Sequence, residues 1–500
     1  MKRINILLLI LFTCSSLSAW AQVQQQHSPR DLQQYWVYDL GTLGGPNSST
    51  SFFAPSLSIR GAIGGAQTPV HDPFDPNCVG DVFFPGCYVM HAFQWNDGVM
   101  TDLGALGKKE KDNGSFASAV NNFGWVAGYS ENGAADPNTG YPVAHAVVWK
   151  QGKIIDLGTF GGTQSSAMAV NDFGQAIGGA LNNIDDPWSA QLVTGFGGVS
   201  FPGTTQMRAF VWQNGRKRDL GTLGGPDAFA YAINRFGQIA GESYTGYTPN
   251  DTTGIPTVDP FLWSNGKMID LGSLGGTIGW SVWLNDWGQV IGISNLAGDQ
   301  SFHGFLWSFG KLIDLPPASG GDTSYALWIN NLGNVVGTSL VTGDTATHAS
   351  LWSWGTSADL GTIGQDDCSE AWGINDLQQI VGVSYPCSNF GGGHAFLWQN
   401  GGPALDLNAL VENPSDLHLY LASYVSNWGG IVAQGTFPNG DIHTALLVPS
   451  GPCEGTCKER IAQKQNEAVA PTHAVTAAGM SKRDWLRKHS ATNRAVPDKR

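Results

Sequence analysis

The stretch DLGTLGGPDAFAYAINRFGQIAGES, residues 219–243, decides the fold, because its phrases return along most of a 500-residue chain. Its opening phrase, Asp219 through Gly225, has counterparts beginning at Asp39, Asp102, Asp156 and Asp270, with weaker ones at Asp314, Asp359 and Asp406. An alternating run ending in asparagine follows, Ala230-Tyr231-Ala232-Ile233-Asn234, matched by Ala326-Leu327-Trp328-Ile329-Asn330. After a tight turn comes Gly-Gln-x-x-Gly, as in Gly237 to Gly241 and Gly288 to Gly292. Successive opening aspartates lie 63, 54, 63, 51, 44, 45 and 47 residues apart. A basal period of about 45 residues suits a four-stranded propeller blade.

One unit shows how the strands are read. Residues 229–234 alternate at period two and form the first strand, and residues 238–243 form the second, with Phe236-Gly237 turning between them. Residues 260–263 are the third strand. Ser264-Asn265-Gly266 is a hairpin signal, and residues 267–271 are the fourth strand. The chain starts on a lone fourth strand at residues 35–40 and finishes on strands one to three of its last unit, ending at residues 444–448. Pairing the two ends completes an eighth blade and leaves no free edge. The expected fold is therefore all-β, an eight-bladed β-propeller of four-stranded blades closed by the N-terminal strand, spanning residues 35–450.

Each unit closes on His-Ala-Phe-x-Trp or a variant of it, seen as His91-Ala92-Phe93-Gln94-Trp95 and His394-Ala395-Phe396-Leu397-Trp398. By this tripeptide and the surrounding phrases the chain resembles the bacterial extracellular HAF-repeat proteins over residues 35–450. The resemblance implies an exported repeat protein, and it supplies no catalytic residues to carry over.

The flanks read differently from the repeats. Lys2 and Arg3 precede an apolar run ending at Phe12, and Ala19-Trp20-Ala21 offers small residues for cleavage before Gln22, so residues 1–21 read as a signal peptide. Cys14 raises a lipoprotein reading, but Thr13 stands where a smaller residue is wanted. Residues 22–34 read as a linker. Residues 451–500 hold 10 Lys and Arg against 5 acids, carry no repeat phrase, and read as a basic, disordered tail. No later segment is long and apolar enough to cross a membrane as a helix. The protein is expected outside the cytoplasm, in the periplasm or beyond.

Charge and cysteine content narrow the partners. With 26 Lys and Arg against 40 Asp and Glu, the net charge is −14, which disfavours nucleic acid. Six cysteines remain after cleavage, and they fall into close pairs, Cys78 with Cys87, Cys368 with Cys387, and Cys453 with Cys457, read as disulfides. Cys368 and Cys387 are symmetric about the turn at Leu377-Gln378, which places them across the open end of one hairpin.

Repeated motifs read as scaffold. Histidine recurs at one position (His91, His145, His303, His348, His394, His443), but Arg208 and Pro260 replace it elsewhere, so a hydrogen-bonding role fits better than a metal ring. Eight equivalent aspartates argue for turn capping, since catalytic carboxylates work in ones and twos. Breaks in the repeat concentrate in the connections between strands two and three of units one to four, residues 67–90, 131–144, 181–207 and 244–259. These loops carry the aromatics Phe74, Phe83, Trp188, Phe196, Tyr244 and Tyr247 beside carboxylates and amides, a mixture suited to an extracellular glycan or protein. They also hold Asp72, Asp75 and Asn77; Asp136 and Asn138; and Asn182, Asn183, Asp185 and Asp186. Calcium takes such ligands, although turn formation accounts for most of them, and no other cofactor is expected. The leading expectation is a secreted binding or scaffolding propeller using this long-loop face. The competing one is an extracellular polysaccharide hydrolase or lyase, for which His71 and Asp72 are candidates and paired carboxylates would be the sign.

Overall fold

The computed structural model describes residues 33–51, 54–73, 87–107, 112–137, 140–188, 205–413 and 415–452. The signal peptide, most of the linker, and the tail from residue 453 onward lie outside these, as do Cys78, Cys453, Cys457, Phe74, Phe83 and Phe196. The described chain is mostly strand with almost no helix, arranged as four-stranded antiparallel meanders in sequence order. The first unit adds two very short strands, and two central units are joined by a single parallel bridge between Val258 and Ile278.

The unit quoted above shows why these residues form strands. Its first strand, Ala228–Ile233, alternates alanine with Phe229, Tyr231 and Ile233 and is buried along its whole length. Small residues let neighbouring sheets approach, and the aromatic side chains fill the gap. A Cβ on Gly179 of the preceding unit would sit 2.3 Å from the Phe229 ring, and one on Gly65 would sit 2.5 Å from Phe116. Glycine in one sheet is thus the seat for an aromatic of the next. The second hairpin turns on Asn265 and Gly266, both at positive φ (52° and 82°), the geometry that favours Asn-Gly between strands.

The strands run further than the sequence pattern indicates. The second and third strands of this unit are Ile239–Pro249 and Pro256–Ser264, and they stay paired out to Pro249 and Pro256. In unit two, Val126–Ala135 and Pro142–Lys150 extend likewise. Much of the expected loop is therefore a two-stranded ribbon continuing beyond the sheet, with a register shift where it leaves.

The first and last described strands meet. Gln33–Asp39 pairs antiparallel with Ile442–Pro452, with Trp36 opposite Val448 and Tyr38 opposite Leu446. It thereby becomes the fourth strand of the sheet formed by His418–Val425 and Ile431–Thr436. That sheet also reaches the first unit. The Ile442 N–H donates to Asn47 Oδ1 at 2.9 Å, and the Thr444 N–H donates to Ser48 Oγ at 3.0 Å. The disulfide between Cys368 and Cys387 closes the open end of its hairpin with Cα atoms 5.1 Å apart, but the register is not symmetric about the turn: a bulge sets Cys368 opposite Tyr385, and Cys387 lies two residues beyond that strand.

Candidate functional site

Each meander has two ends. Connections between strands two and three, and from one unit to the next, lie at one end, the connector end. The turns between strands one and two, and between three and four, lie at the other, the turn end.

At the connector end the repeated polar groups satisfy one another. The histidine Nδ1 atoms of His91, His145, His303, His348 and His443 sit 2.8–3.0 Å from Asp102, Asp156, Asp314, Asp359 and Asp39. Where arginine replaces histidine, Arg208 Nε meets Asp219 at 2.9 Å. The aspartates also cap the connector, accepting the N–H of the glycine two residues on, as at Gly104 and Gly221. Burial alone would raise the carboxyls of Asp39, Asp102, Asp156 and Asp359. The histidine and glycine hydrogen bonds outweigh it and hold them below the usual carboxylate range. The seventh unit departs from this. Asp406 caps a short helix, Leu407–Leu410, and His394 turns to Asp366 at 3.2 Å.

The non-repeated groups at this end form one cluster. Asp227 is fully buried, and its Oδ1 accepts the Met207 N–H at 2.5 Å. Its carboxyl lies against that of Asp186, also buried, on the ribbon of the preceding unit. Loss of water and the facing carboxyl push Asp227 far above the usual carboxylate range. Asp227 Oδ2 meets no N–H or O–H donor among the described residues. Asp186 Oδ2 in turn accepts the Trp188 N–H, and the Tyr244 hydroxyl donates to the Trp188 carbonyl. Deeper in the same sheet the Tyr231 hydroxyl donates to Glu242, whose carboxyl burial pushes up to about 8.

The expected binding aromatics therefore divide. Tyr244 is not exposed. It lies within a strand, fully buried, and its ring helps pin the ribbon. Trp188 is half-buried and packs on the core. Tyr247, further along the ribbon, is 58 % exposed and is joined at this end by Tyr141 and Ile184. His71 is stacked on Tyr88, with ring centroids 4.8 Å apart. Several members of the oxygen-rich clusters are spent on internal bonds, whereas Asn183 and Asp185 are exposed. Asp136 accepts from Thr163, Asn182 donates to Gln206, and Asp186 pairs with Asp227. The one group of three close metal-type ligands among the described residues is Asp367, Cys368 and Cys387, and its sulfurs form the disulfide. Cys87 is disulfide-bonded as well.

The turn end holds what sequence reasoning missed. In units two to seven the asparagine closing the first strand accepts two N–H groups of its own turn and donates to the next unit. Asn121 reaches the carbonyl of Asn171, Asn171 that of Asn234, and Asn234 that of Asn285. The series continues through Asn330 and Asn375 to the Ser426 carbonyl. Between these turns opens a cavity of about 450 Å³. Leu57, Val170, Leu284 and Ile374 line it below the asparagines, and Trp283 and Trp328 stack at 4.5 Å in its wall. Two residues past each asparagine position, at the turn tip, stands an exposed apolar side chain. Phe123, Phe173, Phe236, Trp287 and Trp428 are aromatic, and Ile59, Leu332 and Leu377 are aliphatic. The signal was present as Asn-x-Phe-Gly and its variants, read only as a turn.

No protein-family model matches the chain, and no curated protein matches it. A solved structure described provisionally as a gluconolactonase is 14 % identical, with 50 % of this chain and 83 % of that chain covered. Its TM-score is 0.23, and so weak a likeness carries no argument about this chain.

Proposed function

We propose that the chain is an exported binding or scaffolding protein of the HAF-repeat type, its sheets closed into an eight-bladed propeller, taking a glycan at the connector end. Closure is supported by the unit-to-unit asparagine bonds, by pairing of the chain ends, and by a cavity lined from every unit. Export is supported by the N-terminal signal and by a disulfide, which persists in oxidising compartments. The observation that carries binding is the division of labour at the connector end. Repeated histidines and aspartates are paired with one another, whereas the ribbons of units two to four project Tyr141, Ile184 and Tyr247 into solvent beside carboxylates. Aromatic faces flanked by acceptors suit the apolar faces and hydroxyls of sugars. Glycan-array binding by the full chain, repeated with Tyr141→Ala and Tyr247→Ala, tests this. A drop of roughly tenfold or more in affinity supports the reading, and unchanged binding removes the site from these ribbons.

The Asp186–Asp227 pair favours a second reading, hydrolysis or lysis of a polysaccharide, because such chemistry uses two carboxyls in unlike states. Its burial beneath Trp188 and Tyr244 speaks for a latch that holds the ribbon. Turnover of any polysaccharide that disappears in Asp227→Asn, with the fold intact, would favour the enzyme.

A further inference from the structure

Among the described residues the turn end concentrates two properties. The first is the ring of apolar tips, Phe123 at 67 % exposure and Phe173 at 70 % among them, extended outward by Phe309 and Trp354 on the second turns. Single exposed apolar residues are ordinary, but one on every unit at the same end is a surface. The second is positive charge. Of the ten lysines and arginines among the described residues, only Arg208 and Lys217 are not at this end. Arg208 is held at the connector end by Asp219, and the Lys217 amine is bound to the Thr159 carbonyl. Arg60 and Arg235 stand on first turns, whereas Lys153, Arg216, Lys267 and Lys311 open fourth strands. Against these the turns hold four carboxylates, Asp97, Asp172, Asp286 and Asp376. Asp172 and Asp376 accept N–H groups of neighbouring turns, and Asp286 pairs with Arg235, which removes one cation from the count. A chain of net charge −14 thus presents a basic, apolar-tipped end.

We infer that the turn end docks on an anionic lipid bilayer, with the apolar tips entering the interface and the lysines and arginines meeting phosphate headgroups. Exposed apolar side chains ringed by cations bind such surfaces through shallow burial plus attraction to anionic lipid. Among the described residues no helix is long and apolar enough to cross a membrane. The aliphatic tips Ile59, Leu332 and Leu377 decide against an acidic glycan, because sugar faces stack on aromatic rings. A second copy docked turn end to turn end would set the same cations against one another. The inference goes beyond the glycan reading and does not rest on it, although docking would leave the ribbons facing outward.

Flotation of the full chain with vesicles of phosphatidylglycerol and phosphatidylcholine, against phosphatidylcholine alone, is the test. Expected are recovery with the anionic vesicles only, loss in high salt, and a drop of roughly tenfold in each of two variants. One is Phe123→Ser with Phe173→Ser, and the other is Lys153→Glu with Lys267→Glu. All four residues are exposed or at turns, and unchanged melting temperatures verify the fold. Binding that survives both variants belongs to the basic chain after residue 452 and overturns the assignment. Retention on an acidic polysaccharide without flotation overturns it, as does a dimer that the variants dissolve. Loss of glycan binding in Tyr247→Ala with flotation unchanged would separate the two ends.

Discussion

Asn285 makes four hydrogen bonds with one side chain. Its Oδ1 accepts the N–H groups of Trp287 and Gln289 at 3.1 Å each, and its Nδ2 donates to Gln289 Oε1 at 2.7 Å and the Asn330 carbonyl at 3.0 Å. Aspartate would keep the acceptor and lose both donors, and alanine would lose everything. Leaving such groups unsatisfied costs about 1–3 kcal/mol apiece where water cannot replace them. Asn285→Ala is expected to destabilise by about 2–4 kcal/mol in denaturant unfolding, whereas Leu377→Ala at an exposed tip should stay within about 0.5 kcal/mol. Asp227 makes the opposite case. Its position is filled in other units by an amide, Gln164 accepting the Ala144 N–H and Asn47 accepting the Ile442 N–H. In the folded chain Asp227 keeps its proton far above the pH near 4 at which the unfolded chain releases it. A raised carboxyl contributes stability that is complete below that unfolded value and drains away as pH climbs towards the folded one. Asp227→Asn removes the slope while keeping the acceptor. Melting curves from pH 4 to pH 9 should therefore be flatter for the variant, with a gain of about 1–3 kcal/mol at the alkaline end. A variant as steep as the parent would mean the proton is not held at this pair. The roles of the repeated histidines and aspartates were legible in the sequence because repetition itself argues against chemistry. The Asp186–Asp227 contact was not, since it joins two units across a separation no local pattern encodes.

At the scale of the strand, the last glycine of Gly-Gln-x-x-Gly has a mechanical cause. The first strands of units two to eight carry a bulge, with Tyr231 the extra residue between Ala230 and Ala232, and Val282 between Ser281 and Trp283. The bulge drives a carbonyl towards the second strand, where a Cβ on Gly241 would meet the Phe229 oxygen and one on Gly292 the Trp280 oxygen, both at 2.0 Å. The same clash awaits Gly128, Gly178, Gly337 and Gly382. Backbone cannot yield as a flexible side chain can, so Gly292→Ala is expected to cost more than about 3 kcal/mol. Gly298→Ala in an open turn meets no neighbouring atom, and its cost comes from its positive φ alone, about 1 kcal/mol. Urea midpoints of the two variants, read beside the parent, check the ordering. Strand identity was legible from alternation, but strand length was not. Insertions rich in Gly, Pro, Asn and Asp read as loops, yet in units two and four they continue as paired ribbon, because cross-strand hydrogen bonds persist wherever two antiparallel strands remain adjacent.

At the scale of the molecule, two ends of a long chain are held together by one short strand. Gln33–Asp39 buries Tyr35 and Val37, exchanges bonds with the strand ending at Pro452, and is clamped from outside by Asn413, which both donates to and accepts from the Val37 backbone. The lone fourth strand at the start of the chain was visible in the sequence, because the opening Asp-Leu-Gly phrase at Asp39 has no preceding three strands to belong to. Its removal should therefore act far from where it is made. A chain beginning at Gly41 leaves the last sheet with an unpaired edge, a row of bare N–H and C=O groups. It also leaves Asn413, and the Glu412 N–H that donates to the Tyr35 carbonyl, without their partners. The expected result is a melting temperature lowered by several degrees, about what a loss of a few kcal/mol produces in a domain this large, together with self-association through the exposed edge. A peptide covering residues 33–40 added in trans should restore both, since the strand it pairs with and the cluster around Tyr35 and Val37 belong to the other end of the chain, with Tyr38 and Leu40 meeting Trp95 of the first unit. Ending the chain at residue 452 instead leaves that pairing whole and should leave the melting temperature unchanged. If the chain beginning at Gly41 melts as the parent does and stays monomeric, the terminal strand is an ornament and the closed ring has no physical basis.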